Sequence, residues 1–236
     1  MAFGFRIGAG ALGLGLLTSA FAAPVINEIR TDQPGTDNDE YFELFGTPGY
    51  SLNDLTYLVI GDGTGGSGVI EVVVDLAGHS IAADGFFLVT ESTFTLGTPD
   101  LVLPGSNPLN FENTDNVTHM LVSGFTGSLN QDLDLDDNGT LDILPWTSIL
   151  DWVSIVIDPT GTTSEKYYSP IVVGPDGSFA PGHVYRYPNG TGGWLIGQFN
   201  PVGGQDTPGF ANVPEPGSIA ALAIGLVGLL AARRRK

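Results

Sequence analysis

The residues with the most explicit chemistry are Asp132-Leu133-Asp134-Leu135-Asp136-Asp137-Asn138-Gly139-Thr140-Leu141-Asp142, where oxygen donors recur at alternate positions. With Asp134 taken as first, Asp136 is third, Asn138 fifth, Gly139 sixth, Thr140 seventh and Asp142 ninth. That order matches the first three-quarters of a twelve-residue calcium loop: Ca²⁺ takes six to eight hard oxygens at about 2.4 Å, the glycine permits the sharp turn, and the seventh residue donates its backbone carbonyl. The last element departs from the pattern. Position twelve is Pro145 rather than a bidentate Glu, so Asp132 or Asp151 has to complete a site. The competing reading is a solvated acidic turn whose Asp and Asn side chains only shape the backbone.

Other chemistry is poorly supported. His79, His119 and His183 are dispersed, and cysteine is absent, so the clustered spacing that zinc hydrolases use is missing. Gly65-Gly66-Ser67-Gly68 reads as a hairpin tip rather than a nucleophile turn, and the glycine-rich stretch from Gly61 lacks the Lys-Ser/Thr ending of a phosphate cradle. Asp37, Asp39, Glu40 and Glu43 form a second acidic group, readable either as a cation site or as carboxylates that tie backbone amides. Catalytic residues are expected to be none.

Charge narrows the partners. From Pro24 to Val213 there are 25 acids against three bases, Arg30, Lys166 and Arg186. Such a surface attracts cations and repels polyanions, so nucleic acid is excluded as a partner. Without disulfides, stability has to come from a hydrophobic core or from metal.

The elements that position these residues read as strands. Glycine, at 34 of 236 residues, and 16 prolines punctuate short β-branched and aromatic runs. Strands are expected at Val25 to Arg30, Tyr41 to Phe45, Thr56 to Ile60, Val69 to Val74, Phe86 to Thr90, Val117 to Ser123, Trp152 to Ile157, Tyr168 to Val172, Val184 to Tyr187 and Trp194 to Ile196. Between Pro24 and Val213 no segment sustains helical periodicity beyond about two turns. An all-β antiparallel sandwich is the expected architecture.

Both ends read as export segments. Residues 1–22 form a signal peptide, with Arg6, a glycine-interrupted apolar helix, and Ala20 and Ala22 as the small residues of the cleavage site. Residues 213–236 carry Pro214-Glu215-Pro216, a hydrophobic helix over 217–232 and the cations Arg233, Arg234, Arg235 and Lys236. That run of 16 residues would span roughly 24 Å, short of a bilayer core of about 30 Å, and its terminal cations suit the cytoplasmic edge of a membrane.

This ending resembles the PEP-CTERM sorting signal of exopolysaccharide-producing Gram-negative bacteria. The resemblance implies an exosortase-type membrane protease as partner, transient residence in the inner membrane, and delivery to the cell surface or extracellular matrix. A second resemblance rests on Val25-Ile26-Asn27-Glu28-Ile29, Asp37 to Leu44, Leu55 to Ile60, Ala83 to Val89 and the closing Thr207-Pro208-Gly209-Phe210-Ala211-Asn212. Together these look like a bacterial lamin-tail domain. That likeness implies an immunoglobulin-like β-sandwich over residues 23–212, with an inserted acidic loop at about 91–151, and in it Glu28 and Glu43 are family-typical.

The resulting expectation is an exported, non-catalytic structural or adhesion protein, stabilised by calcium and associating with exopolysaccharide or cell-surface components. The alternative is a small extracellular metal-dependent hydrolase with its metal at the Asp132 to Asp142 loop.

Overall fold

The computed structural model describes residues 22–161, 165–201 and 206–213. The signal-peptide reading, apart from Ala22, and the run 217–232 lie outside them. Among the described residues no helix is long and apolar enough to cross a membrane.

Eleven strands among the described residues form two sheets: β1 (Val25–Arg30), β2 (Tyr41–Phe45), β3 (Leu55–Gly63), β4 (Gly66–Asp75), β5 (Phe86–Thr90), β6 (Leu101–Val102), β7 (Val117–Ser123), β8 (Ser148–Ile155), β9 (Val172–Val173), β10 (His183–Tyr187) and β11 (Gly193–Ile196). Sheet I has the order β11-β10-β1-β2-β5-β6 and sheet II the order β4-β3-β7-β8-β9. Antiparallel pairing dominates, but β5–β6 and β8–β9 are parallel, so both sheets are mixed rather than purely antiparallel.

Alternation along each strand explains the layers. Ile26, Ile29, Phe42, Leu44, Phe87, Val89 and Val184 of sheet I meet Tyr57, Val59, Val72, Val117, Leu121, Val153 and Ile155 of sheet II in the main core. Phe42 and Tyr57 stack across this interface at 3.6 Å between centroids. The fold is therefore a sandwich.

Both outer faces are covered as well. On sheet II, Leu58, Ile60, Ile70, Met120 and Val122 point away from the main core and would meet water. Instead they pack with Leu133, and with Leu141, Ile143, Trp146 and Trp152, in a second apolar cluster. Residues 130–133 also pair with the free edge of β4: Asn130 N–H donates to Ile70 O, Ile70 N–H to Gln131 O, and Leu133 N–H to Gly68 O. A capped edge strand cannot recruit another chain.

Strand pairing runs through the span of about 91–151 that was expected as an insertion. That span holds β7, the middle strand of sheet II, and the cover of its outer face. Tyr168 to Val172 also differs from expectation, since only Val172–Val173 pairs there. Tyr168 instead turns onto the second cluster and hydrogen-bonds Asp134.

His119 shows what the main core does to a titratable group. It is fully buried beside Phe111, its Nδ1 is 2.7 Å from the Tyr57 hydroxyl, and its Nε2 has no partner. Burial pulls its pKa from 6.5 down to about 3. The unfolded chain binds this proton below about pH 6.5 and the folded chain does not, so the contribution is complete above pH 6.5 and is lost as pH falls towards 3. Urea midpoints at pH 7 and pH 4 are expected to fall less in a His119→Gln variant of the full chain than in the natural sequence.

Candidate functional site

The acidic loop folds around Asp134. This side chain is fully buried; its Oδ1 accepts from Asn138 N–H at 3.1 Å, and its Oδ2 accepts from Gly139 N–H and from the Tyr168 hydroxyl, both at 2.8 Å. Gly139 has φ +87°, the left-handed backbone that the sixth position of such a loop demands. Asp142 Oδ2 accepts from Leu135 N–H at 2.9 Å, and the Asp142 and Ile143 amides both donate to Leu133 O, which closes the loop on itself. Asp137 Oδ1 takes Ser67 N–H at 2.7 Å and moors the loop to the β3–β4 hairpin.

Of the residues expected from spacing, Asp134, Asp136 and Asp142 converge: one carboxylate oxygen of each lies within 4.8 Å of the others. Asn138 and Thr140 are exposed on the same turn. Asp132 Oδ1 accepts from Asp134 N–H at 3.1 Å, which sets it next to the three. Asp151 does not complete the group. It sits on β8 with its carboxylate taken by Arg186 Nη2, at 2.8 and 2.9 Å, and by Ile26 N–H at 2.9 Å, so it ties the two sheets together.

The outer face of sheet I is polar and is covered by the closing segment 206–213. Arg30, fully buried, forks onto Asp206 through Nε at 2.5 Å and Nη2 at 2.6 Å, and donates further to the Asp32, Phe199 and Gln198 carbonyls. Glu28 accepts from Thr207 N–H and Oγ1, both at 2.9 Å, and from the Tyr41 hydroxyl, and lies 2.9 Å from His183 Nε2. Glu43 accepts from Gly209 N–H at 2.6 Å and from Asn27 Nδ2 at 2.9 Å; burial, reinforced by the charge of Glu28, holds its carboxyl well above the usual range. Asn212 finishes the segment by donating to the Arg186 and Asn27 carbonyls. Glu28 and Glu43 therefore tie backbone amides, one of the two readings open at the sequence level. Glu28, His183 and Asp206 do cluster, yet Arg30 and the strap amides already occupy their carboxylates.

A third acidic group was not read from spacing. Asp62, Glu112 and Asp115 converge within 4.8 Å, with Glu71 against them. Burial and then neighbouring acids push Glu40 up to about 9, Glu71 to about 8 and Glu112 to about 7. Glu71 escaped notice because the strand pattern places it on a regular β4. It is in fact the extra residue of a bulge, left between the Ile60–Ile70 and Val59–Val72 pairs, which swings its carboxylate to the sheet end. Of the earlier quartet only Asp37 and Glu40 stand near this group. Asp39 is used by the Thr95 amide and hydroxyl, and Glu43 faces the strap.

Residues 212–236 match the PEP-CTERM protein-sorting motif. Such motifs are processed by exosortase, a membrane protease, and imply export and sorting through the membrane to the cell surface. The match begins on Asn212, the last side chain locked into the sandwich, and Pro214, Glu215, Pro216 and Arg233 to Arg235 lie within it but outside the described residues. No curated protein and no solved structure matches the chain.

The strap depends on charge pairing in a buried place, and removing one partner strands the other. Asp206→Ala in the full chain is expected to cost about 3–5 kcal/mol, read as a lowered denaturant midpoint with an unchanged slope.

Proposed function

We propose that this chain is an exported, exosortase-sorted protein of the cell surface or extracellular matrix, whose sandwich serves as a non-catalytic structural or adhesion module of the lamin-tail type. The observation that carries the reading is the junction at Asn212. The sorting motif starts where the strap ends, so a cut near Pro214-Glu215-Pro216 leaves both outer faces covered and every strand in place. Exosortase is the processing partner, and exopolysaccharide or cell-surface components are the neighbours such a destination supplies.

Calcium at the Asp134 to Asp142 loop belongs to the same reading. Its support is the convergence of the Asp134, Asp136 and Asp142 carboxylates and the left-handed Gly139 between them. Asp134 Oδ1, with a single hydrogen bond, keeps a lone pair for a cation, as do the exposed oxygens of Asp136. Bound metal would stiffen the cover that holds Leu133 and Trp146 against sheet II, beside Trp152 of β8.

Intact-mass measurement of the protein from its native host is expected to show a chain lacking Arg233 to Lys236; retention of that terminus would mean that the tail is a permanent anchor. Adding Ca²⁺ to the full chain, purified in detergent, is expected to change tryptophan fluorescence and raise the melting temperature at up to about millimolar metal, and Asp136→Asn is expected to remove the fluorescence change.

A further inference from the structure

Six acids that serve neither cover gather at one end of the sandwich, where β1, β3 and β5 finish and β2 and β7 begin. Asp37 and Glu40 precede β2, Glu112 and Asp115 precede β7, and Asp62 and Glu71 belong to the β3–β4 hairpin. A cavity of about 300 Å³ opens there, lined by Asp37, Glu40, Asn110, Glu112, Asn113 and Asp115 among others. Its donors are almost all oxygens.

Orphaned oxygens point to a missing ligand. Glu40 is only 2% exposed; its Oε1 accepts from Phe111 N–H at 3.1 Å, while its buried Oε2 has no partner. Glu71 Oε2 and Glu112 Oε2 are also buried and lack a donor other than the neighbouring carboxyls, with which Glu71, Glu112 and Asp62 pair among themselves. Buried acceptors are normally satisfied, because leaving one bare forfeits its hydration without return. The fold also makes room for this arrangement: a Cβ on Gly61 would run into the Glu71 carboxylate.

Among the described residues the lysine and arginine cations are committed elsewhere. Arg30 pairs with Asp206, Arg186 with Asp151, and Lys166 donates its ammonium to Gly161 O. No described lysine or arginine therefore neutralises the group. The donor set excludes the nitrogen and sulfur ligands that zinc prefers, and its irregular array of carboxylates and amides suits Ca²⁺ better than the strict octahedron of Mg²⁺.

We propose that this end of the sandwich binds a divalent cation, Ca²⁺, in the cavity between Glu40 and the Glu112–Asp115 turn. Glu112 and Asp115 are its central ligands, because they line the cavity and also belong to the convergent triad with Asp62. The site is separate from the Asp134 loop and stands or falls independently of it.

Calorimetric titration of CaCl₂ into the full chain in detergent, with MgCl₂ as control, tests the assignment. The natural sequence is expected to bind Ca²⁺ with a dissociation constant of about 0.1–1 mM, the range of extracellular modules. The double variant E112Q/D115N is expected to lose one equivalent of bound Ca²⁺ yet keep any response of the tryptophans beside the Asp134 loop, whereas Asp136→Asn is expected to keep the equivalent that the double variant loses. Without metal, E112Q/D115N is expected to melt higher than the natural chain, since repulsion is relieved, which separates loss of a site from loss of folding. Unchanged Ca²⁺ stoichiometry in E112Q/D115N, or no binding to the natural chain up to about 1 mM, overturns the proposal.

Discussion

The closing strap depends on one buried guanidinium. Arg30 has no exposure, and a charge in that position is tolerable only with its donors filled and an opposite charge beside it. Asp206 supplies the charge in a forked geometry, and the Asp32, Gln198 and Phe199 carbonyls take the remaining contacts. These partners come from three separate stretches of chain. Satisfying Arg30 therefore folds the segment after β11 and the closing segment onto β1, and the same closure delivers the Thr207 and Gly209 amides to Glu28 and Glu43.

The two faces of the sandwich illustrate different solutions to one problem. Each sheet has an inner face buried against the other and an outer face covered by a separate stretch of chain. Sheet II presents Leu58, Met120 and Val122 and is covered by apolar side chains from the acidic segment, with Leu133 fully buried among them. Sheet I presents Glu28, Arg30, Glu43 and His183 and is covered by backbone amides and a carboxylate. Leu133 and Asp134 are adjacent, so one short stretch both fills the apolar cover and organises the acidic turn. A cation at that turn would act on the same segment that shields sheet II.

Strand positions were legible because alternation and turn residues are local. Val25 to Arg30, Tyr41 to Phe45, Phe86 to Thr90 and Val117 to Ser123 form strands where the pattern placed them. The two-residue strand Leu101–Val102 carries no such pattern and is defined only by its parallel neighbour β5. Convergence of Asp134, Asp136 and Asp142 was legible too, since turn spacing sets it. Asp151 was not: its sequence proximity suggested a ligand, but strand β8 carries it to the inter-sheet ion pair with Arg186. Glu71, Asp62 and Glu112 meet only through a bulge and strand pairing, which no linear spacing encodes.

Placement of the ends adds a direction to this arrangement. Ala22 N–H reaches Thr47 just past β2, and Asn212 reaches Asn27 near the start of β1 and Asn189 just past β10, so the described chain enters and leaves at the same end. The Glu40, Glu71 and Glu112 group sits at the opposite end, where β1 finishes and β2 begins. While the C-terminal segment still holds the sandwich, before any cut near Pro214, this acidic end faces away from the point of attachment. At physiological salt a surface field decays over about 8 Å, so a membrane beneath the attachment end has little influence on those carboxylates. Their mutual repulsion has to be relieved locally, by protons or by a cation at the proposed site. The sorting segment and the proposed cation site thus lie a strand's length apart, with the buried Arg30 strap fixing which end is which.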